Sequence, residues 1–224
     1  MTIFKYLAII PARKNSKRIK DKNLQKINKK TLVDIAIDEA KKVKKIDYIV
    51  VTSDSKKILD IAKKKGVLTI KRPLKYCTDK STTEDALLHS ISILEKKNLF
   101  FKNIILLQPT SPQRTSKDIN DCIKEYEKEK VNSMFSGYFS KEFLWQIKNK
   151  IKKSISYNYL QRKRSQNMRP LFFENGAIYI FNCILFKKIK NRIMKPFKIY
   201  EMSKFKSIDL DTKNDLIHLR RTLK

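Results

Sequence analysis

Acidic residues are scarce in this chain: 22 Asp plus Glu stand against 52 Lys plus Arg over 224 residues, for a formal net charge of +30. Such a balance raises nucleic-acid binding as a function class. The distribution argues against it, because lysine recurs in every predicted helix and loop, as at residues 41–45, 63–65 and 148–153, rather than along one stripe with interleaved aromatics. No specific nucleic-acid partner is therefore expected. Glycine is scarcer still, at three residues, and with heavy use of Lys, Ile and Asn it points to a compositional bias across a whole genome. The three cysteines, Cys77, Cys122 and Cys183, are far apart, odd in number and free of C-x-x-C spacing. That excludes a disulfide framework and a zinc site and fits a reducing cytoplasm. Histidine occurs twice, and His89, four residues after Asp85 on a predicted helix, reads as a surface contact with it rather than an acid/base couple. No apolar run is long enough to span a bilayer, and residues 6–10 are too short for a signal-peptide core, so no membrane partner is expected. The length fits one domain, residues 1–224, with room for an appendage.

What the chain does contain is organised around residues 9–23, IIPARKNSKRIKDKN. An apolar run at 6–10, stopped by Pro11, reads as a strand buried on both faces. The loop after it separates Arg13, Lys17, Arg18 and Lys22 with small or polar residues, so several cationic heads can converge on one polyanion. Downstream, strands at 48–51, 67–70, 103–107 and 133–138 alternate with helical spacings, starting with Leu32, Ile35, Ala36 and Ala40 behind Thr31 as N-cap. This alternation predicts a three-layer α/β fold with a mainly parallel sheet.

Ligands of such sheets lie beyond the strands' carboxyl ends, which favours Arg72, Ser81 and Thr83 after the third strand. Asp54, after the second strand, reads as a helix cap. In the run LLQPTSPQR at 106–114, Gln108 offers an amide and Thr110 and Ser111 small hydroxyls on a proline-stiffened turn. Residues 140–169 break the α/β rhythm, setting Trp145 and Tyr159 among basic residues with no core to bury them, and read as a projecting arm. In ENGAIYIF at 174–181, Gly176 permits close backbone approach and Asn175 carries both a donor and an acceptor. In SIDLDT at 207–212, Asp209 and Asp211 point to one face of an extended chain and can aim at one cation, while Thr212 and Asp215 form a capping box opening the last helix.

These blocks carry a resemblance. Residues 9–23 resemble the N-terminal signature of the nonulosonate cytidylyltransferases, the CMP-sialic acid synthetase family, at Pro11, Ala12, Arg13, Ser16, Lys17, Ile19, Lys22 and Asn23. The family commonly has a glycine pair where this chain has Lys14 and Asn15. The run LLQPTSP is unbroken, NGAIYI matches at 175–180, and SIDLDT differs from the family's SIDIDT only at Leu210. The family's RQDLP segment is altered here, with Asn167 replacing a carboxylate.

The resemblance implies a Rossmann-like nucleotide-diphospho-sugar transferase fold with a small dimerisation arm at about 140–169. It implies a CTP-dependent enzyme, a homodimer, that joins CMP to a nonulosonic acid sugar and releases pyrophosphate. Arg13, Lys17 and Lys22 are then the catalytic cations on the phosphates. Ala12, Arg13, Ser16, Asn23, Arg72, Ser81, Thr83 and Gln108 hold the nucleotide. Gln108, Thr110, Asn175, Gly176, Lys141 and Arg164 hold the sugar, the last two on the neighbouring protomer. Asp209 and Asp211 bind Mg2+ or Mn2+. The alternatives are a Kdo-type or other sugar nucleotidyltransferase and, more remote, a basic nucleic-acid-binding protein.

Overall fold

The computed structural model describes residues 2–223. Its elements in order are β1 (Ile3–Pro11), β2 (Lys26–Ile27), β3 (Lys30–Thr31), α1 (Leu32–Lys41), β4 (Tyr48–Ser53), α2 (Lys56–Lys64), β5 (Leu68–Lys71), α3 (Thr83–Glu95) and β6 (Phe100–Leu107). There follow α4 (Ser116–Glu129), β7 (Ser133–Ser140), β8 (Trp145–Lys148), β9 (Ile151–Ser154), β10 (Leu171–Asn182), α5 (Cys183–Ile189), β11 (Phe197–Glu201) and α6 (Lys213–Thr222). Seven strands form one sheet in the order β11-β7-β10-β6-β1-β4-β5. Only β10 runs against its neighbours; β1 is parallel to β4 and β6, β4 to β5, and β7 to β11.

The apolar run of β1 explains the layers. Tyr6, Ala8 and Ile10 face a core with Val33 and Ile37 of α1, Ile58 of α2 and Ile119 of α4. Leu7 and Ile9 face the opposite core with Leu87 and Ile91 of α3 and Phe186 of α5. All five strand residues are fully buried, as a central strand covered by helices on both sides requires. Four helices open with the same device: Thr31, Thr82, Thr115 and Thr212 each accept from the backbone N–H three residues on, while Asp34, Asp85, Asp118 and Asp215 accept from the cap's own N–H. Asp85 is thus committed to a helix cap, and His89 packs at a tilt against Tyr76 instead, with ring centroids 5.2 Å apart. The cap of α2 is Ser55, not Asp54, whose carboxylate accepts from the Lys14 N–H at 2.7 Å.

A third, smaller core joins the two ends of the chain: Ile19 of the basic loop packs with Ile27, Leu32, Leu210, Leu216 and Leu219. Leu210 is fully buried, so the residues on either side of it, Asp209 and Asp211, are held against the loop.

The arm is a ribbon. The first residues of β10 pair with the last of β7, Leu171 with Ser140 through Glu174 with Gly137, and β8 and β9 form an antiparallel hairpin between them. Trp145 and Tyr159 are not isolated: their rings meet at a tilt with centroids 5.3 Å apart, Trp145 Nε1 donates to the Tyr157 hydroxyl at 3.0 Å, and Arg162 covers Phe143. The cluster remains open to solvent, with Ile147, Ile151 and Leu160 each at least 70% exposed.

Candidate active site

The carboxyl ends of β1, β4, β5 and β6 open on one side of the sheet, where the connections after β1 and β6 diverge, the location at which α/β sheets leave a crevice. A cavity of about 340 Å³ lies there. Its walls bring together Arg13, Ser16, Lys22 and Asn23 of the basic loop, Arg72, Ser81 and Thr83 from the third strand's loop, Gln108 and Thr110, and Asp209. These ten residues come from four stretches far apart in sequence.

The loop after β1 is shaped by a few hydrogen bonds. Ala12, fully buried, donates its N–H to Thr52 O at 3.0 Å, and the Asn23 side chain donates to Arg13 O at 2.9 Å. Neither Lys14 nor Asn15 is among the residues with positive φ, so the loop does without the glycine pair by following backbone open to any side chain. Arg72 is 6% exposed, donates through Nη2 to Thr52 O at 2.9 Å, and leaves its buried Nε without a partner. Burial pushes its pKa down, opposed by the charges of Cys77 and Asp54.

Two aspartates hold the cations. Asp79 pairs with Lys17 at 2.9 Å and with Arg13 at 3.5 Å, and Asp211 pairs with Arg18 at 2.6 Å and Lys22 at 2.8 Å. The Lys22 bond, first among the causes, holds the Asp211 carboxyl below the usual carboxylate range. Asp209 is the contrasting partner. Surrounding protein raises its pKa by desolvation, and the Thr110 hydroxyl and the Lys22 ammonium only partly offset this. Its residue surface nonetheless opens to solvent, which fits a carboxylate at the cavity wall rather than in the core.

Several predicted residues lie elsewhere. Lys17 is exposed and does not itself line the cavity, but it pairs with Asp79, which does. Asn175 is buried, its Oδ1 accepting from Ser136 Oγ at 2.7 Å and from the Ala177 N–H at 3.0 Å, and its Nδ2 donating to Ser207 Oγ at 2.9 Å. Those bonds occupy the amide within the fold, where it ties β7, β10 and the residue-207 turn together. Gly176, at φ +70°, lies behind Gln108. Lys141 and Arg164 are exposed on the arm, where Lys141 Nζ donates to Gln166 O at 2.7 Å, and neither lines the cavity.

A family-wide profile described as cytidylyltransferase matches residues 7–219, nearly the whole chain. The chain belongs to the cytidylyltransferase family. It is 30% identical over 220 residues to the N-acylneuraminate cytidylyltransferase of Streptococcus agalactiae serotype III (strain NEM316), covering 96% of this chain and 52% of that protein. It is 29% identical over 220 residues to the CMP-N,N'-diacetyllegionaminic acid synthase of Legionella pneumophila, covering 93% of this chain and 92% of that protein. The chain spans about half the length of the Streptococcus and Escherichia coli relatives it matches. Among solved structures, a CMP:2-keto-3-deoxy-manno-octonic acid synthetase complexed with CTP superposes with a TM-score of 0.71 at 15% identity, over 97% of both chains, which establishes the shared fold.

For this cytidylyltransferase family member the sequence reading passed over several cavity residues: Tyr76, Thr78, Asp79 and Thr82 from the loop after β5, and Pro109. Position at a strand's carboxyl end signalled that loop. Nothing in the sequence signalled that Asp79 would pair with cations more than sixty residues earlier. Among the described residues no group of three or more His, Cys, Asp or Glu is assembled for a metal, and no helix is long and apolar enough to cross a membrane.

Proposed function

We propose that this chain transfers the cytidylyl group of CTP to the anomeric hydroxyl of a nonulosonic acid sugar, releasing pyrophosphate. The observation that carries the reading is the convergence in one cavity of Arg13, Lys22, Arg72, Gln108 and Asp209. It combines fixed positive charge for a polyphosphate, an amide for hydrogen-bonded recognition and a carboxylate. The names of similar proteins, which specify neuraminate, legionaminate and pseudaminate, support the substrate class.

The reaction requires the sugar hydroxyl oxygen to bond to the α-phosphorus of CTP as the bond to the bridging oxygen breaks, leaving pyrophosphate. Catalysis is then positioning and charge stabilisation. Arg13 and Lys22 meet the charge that builds on the leaving group, with Lys17 joining them when it leaves Asp79. Asn23 fixes the loop through the Arg13 carbonyl, and Arg72, Ser81, Thr83 and Gln108 contact cytidine. Asp209 and Asp211 would hold Mg2+ or Mn2+. The donor set suits a hard cation, because two carboxylates plus substrate phosphates are a usual magnesium environment, and Asp209 sits at the cavity wall beside the charges of Asp211 and Asp215. When bound, such an ion would neutralise phosphate charge.

The reading extends to a homodimer in which Lys141 and Arg164 of one protomer supply positive charge to the sugar carboxylate in the other's cavity, and to a cytoplasmic location, which three free thiols suit. The test is CTP consumption and pyrophosphate release with a panel of acid sugars: neuraminate, legionaminate, pseudaminate and Kdo. Turnover only with Kdo would move the chain to another branch. No turnover with any, together with salt-sensitive binding to bulk DNA or RNA, would reject the reading.

A further inference from the structure

Arg114 is the largest side chain in the protein that is fully buried, at 1% exposure. Among the described residues it makes no ion pair. Its Nη1 donates to two carbonyls, Gln108 O at 2.9 Å and Ala177 O at 2.8 Å, and its Nε has no partner. Glu39 and Asp118 offset its charge only through space. A guanidinium removed from water without a bonded carboxylate is a costly element in a core. What it accomplishes is a bridge between the turn after β6 and the strand β10, immediately beyond Gly176.

Gly176 meets the same residue from the other side. A Cβ built on it would lie 2.9 Å from Gln108 Oε1, and its φ of +70° disfavours any other residue. Gln108 is therefore met at both ends: its carbonyl is bonded by Arg114, and its amide oxygen lies close over the bare backbone of Gly176, in space that a side chain there would take. The turn is fixed further by Leu210, whose N–H donates to Thr110 O at 2.8 Å and which lies between Asp209 and Asp211. The QPT turn is thus the hub between the amide and the two carboxylates, and Arg114 bonds it to β10 from within the core.

We infer that Arg114 and Gly176 are positioning residues that set the aim of the Gln108 amide, and through it the recognition of a ligand group presenting paired hydrogen-bond donors and acceptors. This rests on the cytidylyl-transfer reading for its substrates, and the group is either the edge of cytosine or the hydroxyls of the sugar. The two sources are separated by which substrate's kcat/KM falls.

The experiment is a double-mutant cycle on the full chain. Gly176→Ala, Gln108→Ala and the double variant are assayed for kcat/KM with CTP and with sugar, beside UTP as competitor and melting temperature as control. If Gly176 acts through Gln108, Gly176→Ala lowers kcat/KM for one substrate by about tenfold in the native background and by less than about twofold once Gln108 is alanine. Losses that multiply in the double variant would overturn the inference. Arg114→Lys keeps the charge while losing the forked bridge, should show the same coupling, and replaces Gly176→Ala if that variant does not fold.

A wild-type protein without turnover would reject the cytidylyl-transfer reading and not this one. The side-chain amide resonances of Gln108, assigned by their loss in Gln108→Ala, should still shift in both Gly176→Ala and Arg114→Lys. Unshifted resonances would refute the positioning role.

Discussion

Replacing Asp211 by Asn separates two jobs that the structure gives this carboxylate. It holds Lys22 at 2.8 Å and Arg18 at 2.6 Å, and beside Asp209 it is one of two proposed ligands for a divalent cation. The Arg18 pair is exposed on both sides and contributes little to stability, whereas Lys22 is only 14% exposed and its pair is better enclosed. Loss of the charge should therefore cost about 1 kcal/mol, less what the Asn oxygen retains as an acceptor. For a domain of this size that lowers the melting temperature by about 2–4 °C. If the carboxylate also takes part in the charge arrangement around the phosphates, the chemical step should fall by about 10²–10³-fold. Turnover of CTP across a magnesium titration, beside a thermal melt, reads both quantities. A loss of turnover under tenfold at saturating magnesium, with the small drop in stability intact, would make Asp211 a clamp for Lys22 and refute its place as a metal ligand. Asp209→Asn is the companion: Asp209 pairs with neither Lys22 nor Arg18 in the ion pairs described, so turnover should fall with no comparable change in melting temperature.

Three other outcomes are expected. Arg13→Ala should depress kcat more than the sugar's KM, since in the proposed reaction charge builds on the leaving pyrophosphate; pre-steady-state measurement that finds an unchanged rate and only a weaker sugar KM would assign Arg13 another role. Glu127 accepts from Lys45, Lys5 and the Tyr6 hydroxyl; burial tends to raise its pKa, but the two lysines outweigh this and bring it to about 2. Because the folded-state value is depressed, its stabilisation is present above the ordinary carboxylate pKa and lost as pH falls through about 2, so Glu127→Gln should flatten the acid limb of the melting-temperature profile below about pH 5; parallel limbs would contradict the linkage. Mixing Arg164→Ala with Asp211→Asn should restore part of the activity each lacks if cavities are shared between protomers, and no recovery despite demonstrated subunit exchange would confine Arg164 to its own chain.

Much of this protein was legible in its sequence because the information is local. The buried run of β1, the Thr31 N-cap, the Thr212–Asp215 capping box, and the alternation of strands and helices up to Ser133 depend on neighbours a few residues apart, so spacing reveals them. The cavity residues Arg13, Lys22, Arg72, Gln108 and Asp209 were also legible, because motifs mark them and strand ends place them. Elements late in the chain were not: α5 and β11 are short, and β11 pairs in parallel with a strand more than sixty residues earlier. Only the tertiary structure decided which carboxylate meets which cation, since Asp79 reaches Arg13 and Lys17, and Asp211 reaches Arg18 and Lys22, across separations that no periodicity encodes. It likewise withdrew Asn175 from the surface and sank Arg114 beneath Gln108. A side chain's type declares the bonds it can make, but whether water, ligand or backbone receives them is settled by what packing places beside it.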